Sequence, residues 1–250
     1  MKITLTAACV GIVSLGHGIV VQCQTPVGLQ NATATYSQTY MGDFSPAQAI
    51  NGRVDDPVGW AIYNGGAVSG TTGPATAVFE TKQNVGFSQG SFLTFDLHFA
   101  NWNPNHTLGR FRISVTTDDR AQFADGLASG GDVTANWSAL TPVFFAADAA
   151  TLSLLSDGSI LANSFFAAND HYRVVAETAL TGITGVRLEA LEDPSLPTDG
   201  PGWQFQNGNF VLSEFEFSIT QIPEPSMVVL GGLGAVLFAF RGLSGGQRRR

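Results

Sequence analysis

Cysteine is nearly missing: the 250-residue chain has two, Cys9 and Cys23, both in its first stretch. If that stretch leaves on export, the remainder has no disulfide or thiol chemistry, and a packed core must supply its stability. Basic charge is scarce too, with 12 Lys and Arg against 20 Asp and Glu and a net charge of −8. The last thirty residues carry four arginines against Glu224, and Lys2 adds one more positive charge, which leaves the stretch between at −12. A body that acidic repels phosphate backbones, so nucleic acid is excluded as a natural partner and a divalent cation is a more natural one. The middle also lacks amphipathic helix periodicity, repeats, coiled-coil heptads and charge runs.

What is present starts at the C-terminus. Pro223, Glu224 and Pro225 precede an uncharged apolar run from Met227 to Phe240, then Arg241, Arg248, Arg249 and Arg250. Two prolines fix φ and withhold N–H donors, so the triplet is stiff and extended. Fourteen apolar residues make a helix of roughly 21 Å. That is short of the roughly 30 Å hydrocarbon core, so spanning recruits flanking residues or thins the bilayer. The arginines stay cytoplasmic by the positive-inside bias, which puts everything before Pro223 outside.

In order and position these three parts resemble the PEP-CTERM sorting signal of bacterial exported proteins, which an exosortase reads. The resemblance implies that the tail is an address, held transiently in the inner membrane and removed near the triplet. At the other end, Lys2 and the apolar stretch Ile3 to Val21 read as a secretory signal peptide, cut between Gly18 and Gln24. The expected division is a signal-peptide helix over 1–23, a body over 25–220, and a sorting signal over 221–250 with a short membrane helix at about 226–243.

The body is rich in glycine (29) and phenylalanine (18), a composition of turn-rich β structure. Ser91 to Phe99 alternates cleanly, with Leu93, Phe95, Leu97 and Phe99 on one face and Thr94, Asp96 and His98 on the other. Arg110 to Thr116 does the same. Further strands are expected at Asn31 to Tyr40, Thr76 to Glu80, His171 to Glu177, Val186 to Leu191 and Phe210 to Ile219. Thr151 to Ala162 reads as a hairpin about Asp157-Gly158, a dipeptide suited to a type I′ turn. Asp118 to Ala135 and Pro194 to Asn209 read as loops. About nine short strands without a convincing helix predict an all-β fold, an antiparallel β-sandwich or jelly roll.

AINGRVDDPVGWAI, HTLGRFRISVT, DGSILA, LTGITGVRLEAL, DPSLP with GPG, and NGNFVLSEFEF recur in that order over nearly the whole body. They resemble the galactose-binding-like, discoidin-type segment of planctomycete surface and cytochrome-associated proteins. In related domains the loop after the first strand and a glutamate on the last strand hold a structural Ca²⁺. The resemblance therefore implies calcium at Asn51, Asp55, Asp56 and Glu214, with Asn51 standing where the family usually has Asp. Oxygen-rich acidic turns suit that ion, and a simple turn before Pro57 explains the two aspartates equally well.

Exposed rings with nearby amides stack on apolar sugar faces. Trp102 with Asn103, Asn105 and His106, and Trp203 with its neighbours, are loop constellations of that kind, although packing of a loop onto the sandwich is an equal explanation. Trp60 and Trp137 read as buried anchors. Gly86 to Gly90 matches Gly-x-Ser-x-Gly, but a strand rather than a helix follows Ser88, which argues against a nucleophile. His98, His106 and His171 lack paired ligand spacing, and Glu214 with Glu216 reads as a solvated face. These residues point to a non-enzymatic, exported cell-surface or matrix protein that binds a glycan or exopolysaccharide. A purely structural or adhesive component is the alternative, and a glycan hydrolase would need two carboxyl groups across a cleft.

Overall fold

A computed structural model describes residues 9–12, 20–64, 73–123, 133, 135–164 and 169–223. In chain order its strands are β1 (Cys9–Ile12), β2 (Val20–Cys23), β3 (Thr25–Pro26), β4 (Leu29–Ala34), β5 (Trp60–Ala61), β6 (Ala75–Val85), β7 (Ser91–Phe99) and β8 (Arg110–Thr116). They continue with β9 (Ser138–Ala139), β10 (Pro142–Ala147), β11 (Thr151–Leu154), β12 (Ile160–Asn163), β13 (Asp170–Thr178), β14 (Ile183–Ala190), β15 (Val211–Leu212) and β16 (Glu214–Gln221). Short 3₁₀ turns at Pro46–Ile50, Arg120–Gln122 and Pro197–Asp199 are the helical elements among the described residues.

The strands pair antiparallel into two main sheets. One runs β10-β13-β7-β16-β3 and the other β11-β12-β8-β14-β6-β4, with β9 added to β8. The faces predicted from alternation meet between them. Leu93, Phe95 and Leu97 of β7, and Phe215 and Phe217 of β16, lie opposite Phe79 of β6 and Phe111 of β8, all buried. Phe79 and Phe215 stack at 5.0 Å between centroids, and Phe111 and Tyr172 at 6.0 Å, so aromatic pairs bridge the sheets. The Tyr172 hydroxyl donates to the Leu108 carbonyl at 3.0 Å, which satisfies a buried polar group while tying β13 to the loop that leads into β8.

A smaller cluster lies behind the second sheet. Phe123 is fully buried against Val78, with Val133, Ala135 and Trp137 packed around it. Gly185 of β14 permits this, because a Cβ there would collide with the Phe123 ring. The Arg187 guanidinium sits 5.4 Å from the Trp137 ring centroid. Part of the stretch expected to be a plain loop after Asp118 is therefore packed as a cover.

Several expectations change. β6 extends well past Glu80, while the first strand stops at Ala34 and leaves Tyr36 to Tyr40 in a loop. Strand β10 has no counterpart in the sequence reading. The hairpin at Asp157-Gly158 is present, but not as a type I′ turn. Only Gly158 has positive φ (79°), and Gly158 N–H donates to Leu155 O while Leu155 N–H donates to Ser159 O. Asp157 instead turns its carboxylate to the Ser159 N–H and hydroxyl and to Arg110, which fixes the longer loop. Its pKa falls to about 2 through those Ser159 hydrogen bonds.

At the N-terminus, where a signal-peptide helix is expected, β1 and β2 pair antiparallel with Cys9 opposite Cys23. Val10, Ile12, Val20 and Val21 favour extended backbone in these two segments. Most of the sorting signal (Glu224, Pro225, Arg241, Arg248, Arg249 and Arg250) lies outside the described residues, Pro223 being the last within them. Among the described residues no helix is long and apolar enough to cross a membrane.

Strand directions sort the connections between two ends. β4 arrives, and β6 and β8 depart, at the end where β7 and β14 finish, because Ala34 pairs with Ala77 and Ala190 with both Ala75 and Phe111. Loops 35–64, 100–109 and 191–213 therefore gather at one end. The body is entered at Gln24 and left after Gln221 at the other, where Thr25 pairs with Ile219 and Gln221 with Ser91. Eight residues of β16 separate the two ends by about 23 Å.

Candidate functional site

The loop end is held by a small ladder. β5 and β15 pair Ala61 with Val211 and Trp60 with Leu212, and the Val211 N–H donates to His106 O. Loops 60–62, 209–211 and 106–107 thus lie side by side. Trp60 anchors them as the sequence predicted: it is fully buried, edge-on to Phe210 at 5.1 Å, and its indole N–H donates to Tyr36 O. The Asn209 side chain accepts from the Ile62 N–H at 3.0 Å, and Gly59 lets the backbone pass Leu212 where a Cβ would strike its carbonyl.

On this support the five predicted ligand residues separate. Trp102 is 77% exposed at the tip of its loop, with exposed Asn103 beside it. Asn105 is buried and held at φ 65°, a shaping position rather than a contact. The His106 ring lies against the carbonyls of Asn103 and Pro104 at 3.2 Å each, and burial pushes its pKa down. The ring is thus bonded to its own loop. Trp203 is half-buried and donates its indole N–H to Ala162 O at 2.7 Å, so it fastens a loop. The loop tip itself is set by Asn101, buried, whose amide donates to Pro57 O at 2.7 Å and accepts from Asn103 N–H.

Exposed residues that the sequence reading did not select lie at the same end. Phe205 is 61% exposed, on a turn closed by Gln204 accepting from the Gln206 and Asn207 N–H groups. Tyr36, Tyr40 (55%) and Met41 (83%) are exposed on the loop after β4, and Tyr40 meets Tyr63 edge-on at 6.0 Å. Tyr36 and Tyr40 alternate with small polar residues as a strand would, which hid them. Only the early end of β4 places them on a loop.

The calcium residues take a different form. Glu214 is 5% exposed, and its Oε2 accepts from the Gly52 and Arg53 N–H groups at 3.0 and 3.3 Å. Burial raises its pKa above the ordinary glutamate range, against the lowering effect of those donors. Asn51 accepts from Arg53 N–H through its side chain. Asp56 is held by the Arg53 guanidinium at 2.9 Å and by the Val58 N–H, while Asp55 is exposed. Among the described residues no three His, Cys, Asp or Glu side chains cluster as a metal centre. N–H donors aimed at Glu214 and a guanidinium on Asp56 do not fit the donor set of a cation cage. The arrangement is a self-capped turn latched to the last strand.

Two further expectations are corrected on the outer face of the first sheet. Glu214 is buried rather than solvated, because loop 51–58 folds over it. His98 and His171, remote in sequence, are direct partners across β7 and β13 and stack at 4.5 Å. His171 bonds Asp96 at 2.7 Å, which raises its pKa, and His98 bonds Glu216 at 3.0 Å. Asp118 and Asp119 are consumed as loop caps for Asn136 and Ala121.

The fold and loop end together define an antiparallel β-sandwich with aromatic-bearing loops at one end. No family model matches the chain, and no curated protein matches it. Among solved structures, the family 32 carbohydrate-binding module from C. perfringens NanJ in complex with galactose is similar, at 10% identity and a TM-score of 0.36. The likeness covers 78% of this chain and 98% of that one. A likeness of this degree assigns no chemistry.

Proposed function

We propose that the protein is an exported, non-enzymatic surface or matrix component that binds glycan through its loop end. The observation that carries this reading is the exposure of Trp102 and Phe205 on hydrogen-bonded loops at the end opposite chain entry and exit. Rings held rigid in water gain by covering an apolar sugar face, while Asn103 offers both a donor and an acceptor for hydroxyls. Processing by an exosortase near Pro223 would leave these loops about 23 Å beyond the tethered end. The mechanism is equilibrium binding by loops at one end of a rigid sandwich, without a covalent step. Display of the full chain on a glycan array tests it: binding lost in Trp102→Ala supports the reading, and no binding with or without calcium overturns it. For export, the cell-surface form should lack residues 1–23 and the terminal arginines by mass, and a cytosolic chain with both ends intact overturns that half.

A second reading, self-association as an adhesive component, is favoured by β10. It is a sheet edge with Val143 and Phe144 more than half exposed, a form that pairs readily with another strand. Sedimentation of the full chain without sugar decides it: concentration-dependent assembly abolished by Phe144→Lys supports it, and a monomer at all concentrations removes it.

A further inference from the structure

The loop end presents two aromatic platforms rather than one. The first is Trp102 on loop 100–109 and Phe205 on loop 191–213, which adjoin where the Trp203 N–H donates to Thr107 O. The second is Tyr36, Tyr40 and Met41, with Tyr63 packed against Tyr40.

The second platform is as firmly built as the first. Gln38 N–H donates to Ala61 O at 2.8 Å, its side-chain amide donates to Tyr40 O at 2.8 Å, and Trp60 holds Tyr36 O. Met41 is held at φ 65°, a conformation that non-glycine residues rarely adopt, and its side chain is left in water. Such strain at an exposed apolar tip gains nothing for the core and is expected where a surface contacts something else.

The two platforms share one support. Gln38 bonds Ala61, Ala61 pairs with Val211, and Val211 bonds His106, so the backbone lines beneath them are three strand spacings apart, about 14 Å. That is the span of a short run of sugar units, larger than a single ring. The acidic body repels anionic polymers and anionic lipid headgroups alike, and Asp43, two residues after Met41, adds negative charge beside the second platform. An uncharged chain with alternating apolar and hydroxyl faces suits separated rings better than a continuous apolar protein surface does.

We infer that the two platforms are subsites for one ligand, a neutral polysaccharide laid across the loop end from Trp102 to Tyr40. This rests on the glycan-binding reading and narrows it from a terminal sugar to a chain.

Calorimetry of the full chain with galacto-, cello- and chito-oligosaccharide ladders, from monosaccharide to hexasaccharide, tests it. Affinity should climb with length in one ladder by about tenfold or more once both platforms are engaged. Tyr40→Ala and Met41→Ser should each reduce the long-ligand affinity and leave monosaccharide affinity unchanged. Both positions are exposed, and a melting temperature equal to that of the parent shows that the fold is retained. Equal affinity at all lengths, or Tyr40→Ala binding the hexasaccharide as well as the parent does, overturns the two-platform inference and leaves single-sugar binding standing. Failure of every ladder at every length overturns both.

Discussion

Glu214 gives the sharpest test of how the loop end is held. Its carboxylate is almost sealed from water and accepts two backbone N–H groups of the turn that carries Gly52 and Arg53. Glu214→Ala removes the one oxygen that accepts both bonds and leaves those donors to weaker partners. The shorter bond is charge-assisted and the 3.3 Å one weaker, so the expected cost is about 2–3 kcal/mol. For a domain of this size that is a fall of about 4–12 °C in Tm. Glu214→Gln should behave differently. Burial holds the folded-state pKa above its unfolded value, so the ionised form is the less favoured one inside the fold. A neutral amide keeps one acceptor and removes that desolvation cost, so Gln should cost less than about 1 kcal/mol. The same raised pKa makes a contribution that is fully present below the unfolded value and is lost as pH rises through the folded one. The parent should therefore gain stability relative to Glu214→Gln as pH falls toward about 4.5. Urea unfolding followed by tryptophan fluorescence, with calcium and with chelator, reads all three. A Gln variant as damaged as Ala, together with a parent stabilised by calcium, would refute the self-capped turn and restore a cation at this site.

Other expectations follow from the same geometry. Trp102→Ala should leave Tm within about 1 °C, since the ring is in water, while abolishing glycan retention on an affinity gel; a large fall in Tm would make it a packing residue. Tyr172→Phe should cost about 1–2 kcal/mol by depriving the buried Leu108 carbonyl of its donor, measured by chemical denaturation, and a neutral result would mean that carbonyl is satisfied otherwise. His171 has a raised pKa, chiefly through its bond to Asp96, so its contribution is full below its unfolded value and lost as pH rises through the folded one. Asp96 is lowered despite burial by His171 and Arg173, so its share is present above its unfolded value and lost as pH falls through the folded one. The pair should thus stabilise most between about pH 4 and 6.5, and His171→Gln should flatten the stability profile across that window.

Much of the sandwich was legible from alternation alone. In β8, and in β7 from Leu93 on, the period of two is unbroken and one face is wholly apolar, so register, burial and partner face are all fixed locally. β10 was not legible, because PVFFAA shows no alternation and sits at an edge where neither face is fully covered. The candidate site divides the same way. A lone tryptophan among asparagines signals an exposed loop from composition, and Trp102 is one. Trp203 has the same kind of neighbours, yet its indole N–H finds a carbonyl on another strand, which only the path of the chain supplies. The amino-acid order determined which residues could face inward and where turns could form, since these are properties of neighbours. Only the tertiary structure decided which loops meet, that Glu214 is sealed by a distant turn, that His98 stacks on His171, and that Tyr40 and Trp102 share one end. Those contacts depend on strand order and direction, which no local pattern contains.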